Sequence, residues 1–350
     1  KIYKYLKFYK EDYFFYSSLI DININFYKLI KYINFKPDVL VFHSIQNFLT
    51  IDDFEKLFKY YNVKIYWMIY DMGPFTGGCH YSWTCNKYYN VCENCNASNY
   101  FFLKNFSYRN LQKKKIIFDK IGMKVLPHSK YILNQVKQSS LFCNAGIHLL
   151  NLGFDNKIFY KIDKKVIRNK YKIPYSKFIF LFATPDLMTK RKGIQILRES
   201  LSMINYKLKK QIQIITLGRI DKKFYFGDDI EHINYDYSNS LNFINEIYNL
   251  SDVFVSPAIE DSGNSMLIQS LFTGTPFVSF NIAYGYDLND YGLGYVCKSD
   301  TAKEFSYGLE HFILMDKNKY RDISNKCIKI AKEKYSNVVQ IKNFINIVNS

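Results

Sequence analysis

Two adjacent carboxylates, Glu260 and Asp261, follow a short apolar run that ends at Ser256 and precede a segment of helical character that ends near Gly274. Carboxylates at such a turn accept hydrogen bonds from sugar hydroxyls, while the free N–H groups at a helix start bind phosphate. The pair therefore indicates a site for a phosphorylated sugar compound. The alternative is a capped helix beside two exposed acids, and this motif alone leaves both interpretations open.

The helix after the acidic pair carries polar groups that could face the same ligand. Asn264 or Ser265 is its predicted N-cap, because short polar side chains accept hydrogen bonds from the first N–H groups of a helix. Gln269 stands eight residues after Asp261, about two helical turns along. The segment Gly274-Thr275-Pro276 ends the helix, as glycine and proline commonly do.

A basic cluster, Lys190, Arg191 and Lys192, lies just before Gly193, where a predicted strand passes into a predicted helix. A lysine at such a turn neutralises the charge of a diphosphate leaving group. Taken alone, a run of three cations is more often the solvated start of a helix. Two phosphate-compatible loops at the carboxyl edge of one sheet favour the binding interpretation.

Four of the seven cysteines fall within one short segment, at Cys79, Cys85, Cys92 and Cys95. The segment contains one Cys-x-x-Cys pair, and His80 follows the first thiol. This pattern predicts either a structural zinc site or a loop of unpaired, packed thiols, since its spacing is not that of a standard zinc ribbon. The remaining cysteines are predicted to be ordinary buried residues: Cys143, Cys297 and Cys327.

Apolar runs alternate with helical periodicity along most of the chain, which predicts βα units and parallel sheets covered by helices. Amphipathic stripes predict helices around 194–204, 241–248 and 341–348. A turn-like cluster at 151–155 separates two series of strands, so we expect two doubly wound domains. The predicted strands are Val39–Phe42, Val63–Ile69, Met123–Leu126, Ile147–Leu152, Phe178–Ala183, Ile212–Leu217, Val253–Ser256 and Phe277–Phe280.

The amino-acid composition of the chain excludes some classes of protein function. A hydrophobic content of 48% and a charged content of 23% are those of a globular protein. The net charge of +17 favours anionic partners, but no nucleic-acid-binding module is visible and we expect no nucleic-acid partner. With no apolar run of about 18 residues and no signal peptide, we expect a cytoplasmic protein without disulfides, at the inner membrane face if it docks on anionic lipid.

Taken together, these motifs resemble those of the family 4 retaining glycosyltransferases of GT-B fold, from about Asp38 onward and in the family's order. The first half contains a segment, 71–81, that looks like one found in a bacterial polysaccharide-building branch of that family. The other matching segments are Lys137–Phe142, Asn151–Asp155, Arg191–Gly193, Tyr248–Pro257, Glu260–Asp261 and Gly274–Pro276.

The resemblance implies roles for the residues of the second half. Lys192 would contact the donor diphosphate, with Arg191 as a weaker candidate, and Glu260 or Asp261 would bind the transferred sugar. Lys192 and the two acids would thus be the catalytic residues. The backbone N–H groups at Asn264 and Ser265 would meet the sugar or the phosphate. Gln269 occupies the position of a family glutamate that holds the ribose hydroxyls. Its amide can form the same hydrogen bonds, but it lacks the negative charge of the glutamate.

The resemblance also implies an acceptor side in the first half. Tyr70 stands where the family commonly has a histidine, and a tyrosine is a poor base at neutral pH. His43 and His128, at the ends of predicted strands, either touch the acceptor or are hydrogen-bonded structural side chains. The residues that the resemblance places on the acceptor side are Asp71, Thr76, Gly77, Gly78 and His80.

The expected architecture is GT-B, an α/β fold with two Rossmann-like doubly wound domains facing across a cleft. We expect an acceptor-side domain over 1–155, a nucleotide-sugar domain over 156–334, and a helix over 335–350 that crosses back to the first domain. The family's first strand and Gly-rich loop are not visible after Lys1, so we expect that the sequence lacks its true N-terminus.

The expected reaction transfers a hexose, with retention, from a UDP- or GDP-sugar to a glycan or polyprenyl-phosphate-linked glycan in surface polysaccharide synthesis. Catalysis needs no cofactor in this scheme, and a structural zinc ion is the one metal that the residues suggest. The alternative is a degenerate, non-catalytic GT-B protein that binds glycan or partner proteins, for which Gln269 and Tyr70 are the evidence.

Overall fold

The computed structural model describes residues 8–16, 26–33, 35–46, 48–100, 103–142 and 146–350. The chain divides into two compact units, one formed by residues 1–150 with 346–350 and the other by residues 151–345. The expectations for the opening Lys1–Tyr5 and for Cys143 fall outside the described residues.

The first unit, as far as it is described, contains four parallel strands in the order β1-β2-β3-β4. They are β1 (Val39–Phe42), β2 (Lys64–Ile69), β3 (Lys124–Pro127) and β4 (Gly146–Ile147). Its helices are Phe26–Tyr32, Ile51–Tyr61, Phe106–Ile121 and Lys130–Gln138. The central strands are apolar because helices cover them: Ile65, Trp67 and Ile69 of β2 are buried in one cluster with Phe54 and Phe118.

Three of the four strands predicted here are confirmed to within one residue, but the fourth is much shorter than expected. The prediction of a strand over Ile147–Leu152 is wrong beyond Ile147. The chain does continue beside β3, since the N–H groups of His148 and Leu150 donate to the carbonyls of Val125 and Pro127. Regular pairing nevertheless ends at Ile147.

The second unit is built on six parallel strands in the order β10-β9-β8-β5-β6-β7. They are β5 (Phe178–Asp186), β6 (Ile212–Arg219), β7 (Glu231–Tyr235), β8 (Val253–Ser256), β9 (Phe277–Ser279) and β10 (Gly294–Val296). The helices of this unit are Lys164–Lys170, Ile194–Met203, Tyr206–Lys209, Leu241–Leu250, Ser265–Phe272, Ala283–Leu288, Ala302–Ile313 and Lys317–Tyr335. A last helix, Asn337–Asn349, contributes its final residues to the first unit.

Strand β5 shows why this sheet could be predicted from continuous apolar runs. Its residues alternate between two cores, with Ile179 and Leu181 in one cluster and Phe180 and Phe182 in the other. Successive strand residues point to opposite faces, so burial on both faces makes every position apolar. The four strands predicted here are confirmed.

The strand order reverses beside β5, because β6 pairs with one side of it and β8 with the other. In open α/β sheets a ligand binds at such a reversal, outside the carboxyl ends of the strands. The loops that follow β5 and β8 leave from this edge. The topology therefore places both predicted phosphate-compatible loops side by side.

An ion cluster lies at the opposite edge of the same sheet. The carboxylate of Asp252, just before β8, accepts hydrogen bonds from Arg168 Nη2 at 2.7 Å, Lys164 Nζ at 2.5 Å and Ile179 N at 2.7 Å. The Arg168 side chain is only 3% exposed. These contacts tie the helix Lys164–Lys170 to the amino ends of β5 and β8, which is a structural role away from the ligand edge.

Within the described ranges, no helix is both long and apolar enough to cross a membrane. The predicted stripe of the last helix is not fully buried, since Ile341 and Ile345 are 57% and 50% exposed.

Candidate functional site

The loop after β5 carries the predicted basic cluster. Lys190–Lys192 form one 3-10 turn, which ends at Gly193 in the left-handed region with φ of 79°. A Cβ atom on Gly193 would collide with the Pro257 carbonyl oxygen in the loop after β8. The N–H of Ile259, in that second loop, donates to the Arg191 carbonyl at 3.0 Å. The two loops are therefore packed backbone against backbone.

Three charged side chains meet where these loops touch. Lys192 Nζ lies 2.5 Å from Asp261 Oδ2, and Arg191 Nη1 lies 3.4 Å from Asp261 Oδ1. The Asp261 side chain is 4% exposed, and its Oδ1 also accepts the N–H of Ser262 at 3.0 Å. Asp261 is thus a buried anchor for the two cations, and the alternative of two exposed acids does not hold for it.

Burial lowers the pKa of Lys192, although the neighbouring Asp261 carboxylate opposes this shift. Burial alone would raise the pKa of Asp261, but the charges of Lys192 and Arg191 hold it below its ordinary value. Two cations share one carboxylate, so positive charge exceeds negative charge within this group of three side chains. Such a preorganised positive charge suits an anionic ligand.

The helix Ser265–Phe272 starts beside this cluster and confirms the predicted capping. The Asn264 side chain accepts a hydrogen bond from the Met266 N–H at 3.2 Å, and Gly274 has a φ of 78° just after the helix end. Asn264 and Asp261 line a small pocket of about 220 Å³ together with Ser279. The Ser279 hydroxyl is buried and has no hydrogen-bond partner among the described residues.

The other residues predicted on the donor side, Glu260, Ser265 and Gln269, do not line this pocket. Glu260 is half-buried, and its carbonyl oxygen accepts a hydrogen bond from Arg191 Nη1 at 3.4 Å. Ser265 is the half-buried first residue of the helix. Gln269 Oε1 accepts a hydrogen bond from Tyr248 Oη at 2.8 Å. Tyr248 is fully buried, a contact that the sequence did not reveal.

A second pocket, of about 420 Å³, lies in the first unit. Asp71 and His80 both line it, with Asp71 Oδ2 at 3.0 Å from His80 Nδ1. A carboxylate only accepts, so Nδ1 carries the proton of the neutral ring and Nε2 carries the lone pair. Gln46 Nε2 lies 3.2 Å from His80 Nε2 and 3.3 Å from His80 Nδ1, so it contacts the ring between the two nitrogens. The hydrogen bond with Asp71 therefore orients the ring.

Tyr70 adds an aromatic wall to this second pocket. Its hydroxyl lies 2.7 Å from His43 Nδ1, and its ring stacks between those of His43 and His128. Burial raises the pKa of Tyr70, which keeps the hydroxyl protonated. His43 is exposed at the pocket, whereas His128 is buried.

Three predicted acceptor-side residues, Thr76, Gly77 and Gly78, do not line the second pocket but build the loop beneath it. All three are buried. A Cβ on Gly77 would collide with Ser107, and one on Gly78 would collide with the residues 15–16. Lys114 Nζ donates to the carbonyls of Gly73 and Thr76 at 2.6 and 3.0 Å. Burial lowers the pKa of this lysine to about 8.

Comparison with known proteins relates part of the chain to a family and the whole fold to solved structures. Residues 163–334 match the family model of the group 1 glycosyl transferases. No curated protein matches the sequence of the chain. Solved structures similar to the chain include sucrose-phosphate synthase from Thermosynechococcus elongatus, with a TM-score of 0.67 and 14% identity over 92% of this chain and 75% of that one.

Two further similar structures are a glycosyltransferase and a complex with UDP and glucose. A glycosyltransferase from Rickettsia africae has a TM-score of 0.63 and 16% identity, over 92% of this chain and 78% of that one. Anabaena HepE in complex with UDP and glucose has a TM-score of 0.65 and 12% identity, over 93% and 81%. Residues 163–334 thus match a group 1 glycosyl transferase domain, and the chain is a glycosyltransferase of GT-B fold.

Proposed function

We propose that the chain transfers a hexose, with retention, from a UDP- or GDP-sugar to a glycan or polyprenyl-phosphate-linked glycan in surface polysaccharide synthesis. The observation that carries the proposal is the Lys192–Asp261–Arg191 cluster at the reversal of the strand order. It puts a fixed positive charge where the diphosphate of a sugar nucleotide would lie.

The charges on the donor side support different roles for Glu260 and Asp261. Asp261 is occupied by Lys192 and Arg191, so it serves to hold the cations in place. Glu260 is then the acid that contacts the transferred sugar. As the bond between the anomeric carbon and the diphosphate oxygen breaks, negative charge grows on the leaving group. Lys192 stabilises that charge, and the electron pair of the bond stays with the diphosphate. The oxygen of the acceptor hydroxyl bonds to the anomeric carbon, and its proton passes to the leaving diphosphate.

The pocket of Asp71 and His80 is the proposed acceptor site. Its polar groups suit a sugar hydroxyl, because His80 Nε2 and the Asp71 carboxylate can both accept a hydrogen bond from it. The ring of Tyr70 gives an apolar face against which a sugar can pack. In this proposal Thr76, Gly77 and Gly78 act through the loop that holds His80.

A screen of UDP- and GDP-sugars by thermal shift tests the donor proposal, because a ligand raises the melting temperature by mass action. We expect the melting temperature to rise with sugars of one nucleotide base, either UDP-sugars or GDP-sugars. The same donor should release its nucleotide when the protein turns it over. Retention is read from the anomeric configuration of the product by NMR. A non-catalytic binding protein is the conclusion if a donor binds but no sugar nucleotide is turned over, with or without glycan acceptors.

Replacing Gln269 with glutamate is expected to tighten donor binding about fivefold. One carboxylate oxygen keeps the hydrogen bond from Tyr248, and the other offers a charged acceptor to the ribose hydroxyls. A charged hydrogen bond contributes about 1 kcal/mol more than a neutral one. Calorimetric titration with the donor found in the screen measures the change, and unchanged affinity would show that Gln269 does not reach the nucleoside.

Replacing His80 with alanine is expected to raise the KM for the acceptor about fivefold and to leave donor hydrolysis without acceptor unchanged. The variant removes the hydrogen-bond acceptor Nε2 from the second pocket, at a cost of about 1 kcal/mol. His311→Ala, an exchange in the other unit, is the control for loss of a histidine. Equal losses in donor hydrolysis and transfer would place His80 outside the acceptor site.

A further inference from the structure

The segment from Gly77 to Asn105 departs from the rest of the fold because its described residues contain little regular structure. Between the turn at Gly73–Phe75 and the helix Phe106–Ile121, the described residues form only the single turn Lys87–Tyr89. Loops of this length in compact domains are uncommon and are held by something other than a backbone ladder. Yet Tyr88, Cys95 and Ala97 are buried, so the loop has a defined packing.

Four thiols share the interior of this loop. Cys79 neighbours Cys95, and Cys85 and Cys92 lie within electrostatic range of it. Cys92 in turn interacts with Cys85 and Cys95. Cys95 is buried and the other three are half-buried. The only other described cysteines, Cys297 and Cys327, lie in the second unit.

Hydrogen bonds already fix the backbone around the thiols. The N–H of Gly77 lies 3.3 Å from Cys92 Sγ. The N–H of Ser98 donates to the Cys95 carbonyl at 3.2 Å, and the Ser107 hydroxyl donates to the Cys92 carbonyl at 2.7 Å. An N–H that points at a thiol sulfur, as that of Gly77 does, is a usual outer partner of metal-bound sulfur.

The charge of the surroundings agrees with a negative centre. Lys114 is buried close to Cys79 and Cys92, and its other electrostatic partner is Asp71, which is shared with His80. In the described part of the loop the one acid, Glu93, is exposed and not buried with the thiols. A zinc ion bound by four thiolates has a net charge of about −2, which the ammonium of Lys114 would partly compensate.

We propose that Cys79, Cys85, Cys92 and Cys95 bind one structural zinc ion. Zinc prefers four tetrahedral thiolates in structural sites, and binding displaces one proton from each thiol to solvent. As placed, no three His, Cys, Asp or Glu side chains in the described ranges already stand at ligand spacing around one point. Ligation therefore requires thiol side chains to rotate about χ1 within the loop.

The ion would fix the loop that carries His80. The N–H of His80 donates to the Tyr13 carbonyl at 3.0 Å, and the N–H of Tyr16 donates to Gly78 O at 2.8 Å. Trp83 Nε1 donates to the Asp12 carbonyl at 3.0 Å. The cysteine loop thus holds the segment 8–16 in place, and Tyr16 from that segment lines the second pocket beside His80. This inference concerns the architecture of the first unit and stands independently of the donor and the reaction proposed above.

The test begins with the metal content of the full chain, purified under reducing conditions without chelator. We expect about one zinc ion per chain by mass spectrometry of the metal, released by a mercurial thiol reagent. Replacement with Co²⁺ should give the intense visible bands of a tetrahedral thiolate site. Less than about 0.1 zinc per chain, even after refolding with Zn²⁺ under reducing conditions, would overturn the proposal.

Single cysteine substitutions test which thiols bind the zinc ion. Cys92→Ser and Cys95→Ser should each lose at least about tenfold of the zinc retained under a competing chelator, whereas Cys297→Ser should keep it. If the loop variants do not fold, thiol labelling of the wild-type chain tests whether the four cysteines bind zinc. Protection of four thiols that is lost after the zinc is removed with a strong chelator supports the site. Four freely reactive thiols, or a disulfide between Cys79 and Cys95 in the purified chain, refute it.

Discussion

Replacing Lys192 with methionine is expected to lower the kcat/KM for sugar transfer roughly 100- to 1,000-fold, the usual effect of removing one preorganised group that stabilises a developing oxyanion. The loss should appear mainly in kcat, because the charge on the leaving diphosphate grows as the bond to the sugar breaks. Donor hydrolysis without acceptor should fall by a similar factor. Steady-state kinetics with the donor identified in the screen measures both.

The matched control is Lys190→Met, which removes the same charge from the same 3-10 turn at an exposed position. Since Lys192 also balances the buried Asp261, melting temperatures of both variants must be compared. Arg191 remains beside Asp261 in the Lys192 variant, so we expect a folded protein. Equal activity losses in the two variants would mean that the net charge of the loop matters and the position of Lys192 does not.

The strands that could be predicted are those with both faces buried. Their sequences are continuous apolar runs, and β5 is the clearest example. Strands β7 and β10 were missed because they lie at the two edges of the six-stranded sheet. Glu231–Tyr235 mixes polar and apolar residues, as suits a strand that is mostly half-buried. An edge strand of this kind has no pattern that distinguishes it from a loop.

The candidate donor site could be predicted in outline because its loops follow strands and carry recognisable residue types. What the sequence could not separate was the role of each acid. Asp252 and Asp261 are both buried acids bound to an arginine and a lysine. Only the topology shows that Asp252 lies at the amino edge of the sheet and Asp261 at the carboxyl edge, where ligands bind.

The residues that line the second pocket could be predicted from the sequence only in part. Asp71 and His80 are close in the chain, but Gln46, Tyr16 and Lys114 reach the same pocket from distant segments. No spacing rule connects them. The Thr76-Gly77-Gly78 segment was predicted as part of the acceptor side, whereas the structure places its residues in the packing beneath the pocket. Its direct contact with an acceptor stays a prediction.

Replacing Gly193 with alanine is expected to lower kcat/KM at least about 100-fold, although no side chain of the site is removed. Gly193 has a φ of 79°, which costs an alanine about 1–2 kcal/mol. The added Cβ would also collide with the Pro257 carbonyl, so the two loops must move apart. Displacing catalytic groups by about 1 Å commonly costs two orders of magnitude in rate.

Gly292→Ala separates the collision from the backbone strain. Gly292 has a φ of 59° in the same unit, and the nearest atom to its Cβ position is the flexible end of Lys326 at 3.8 Å. Both variants should lose a similar amount of melting temperature through strain, but only Gly193→Ala should lose activity at a temperature where both are folded. Full activity in Gly193→Ala would show that the Lys192–Asp261 cluster does not depend on the contact between the two loops, and that the site tolerates movement of one loop against the other.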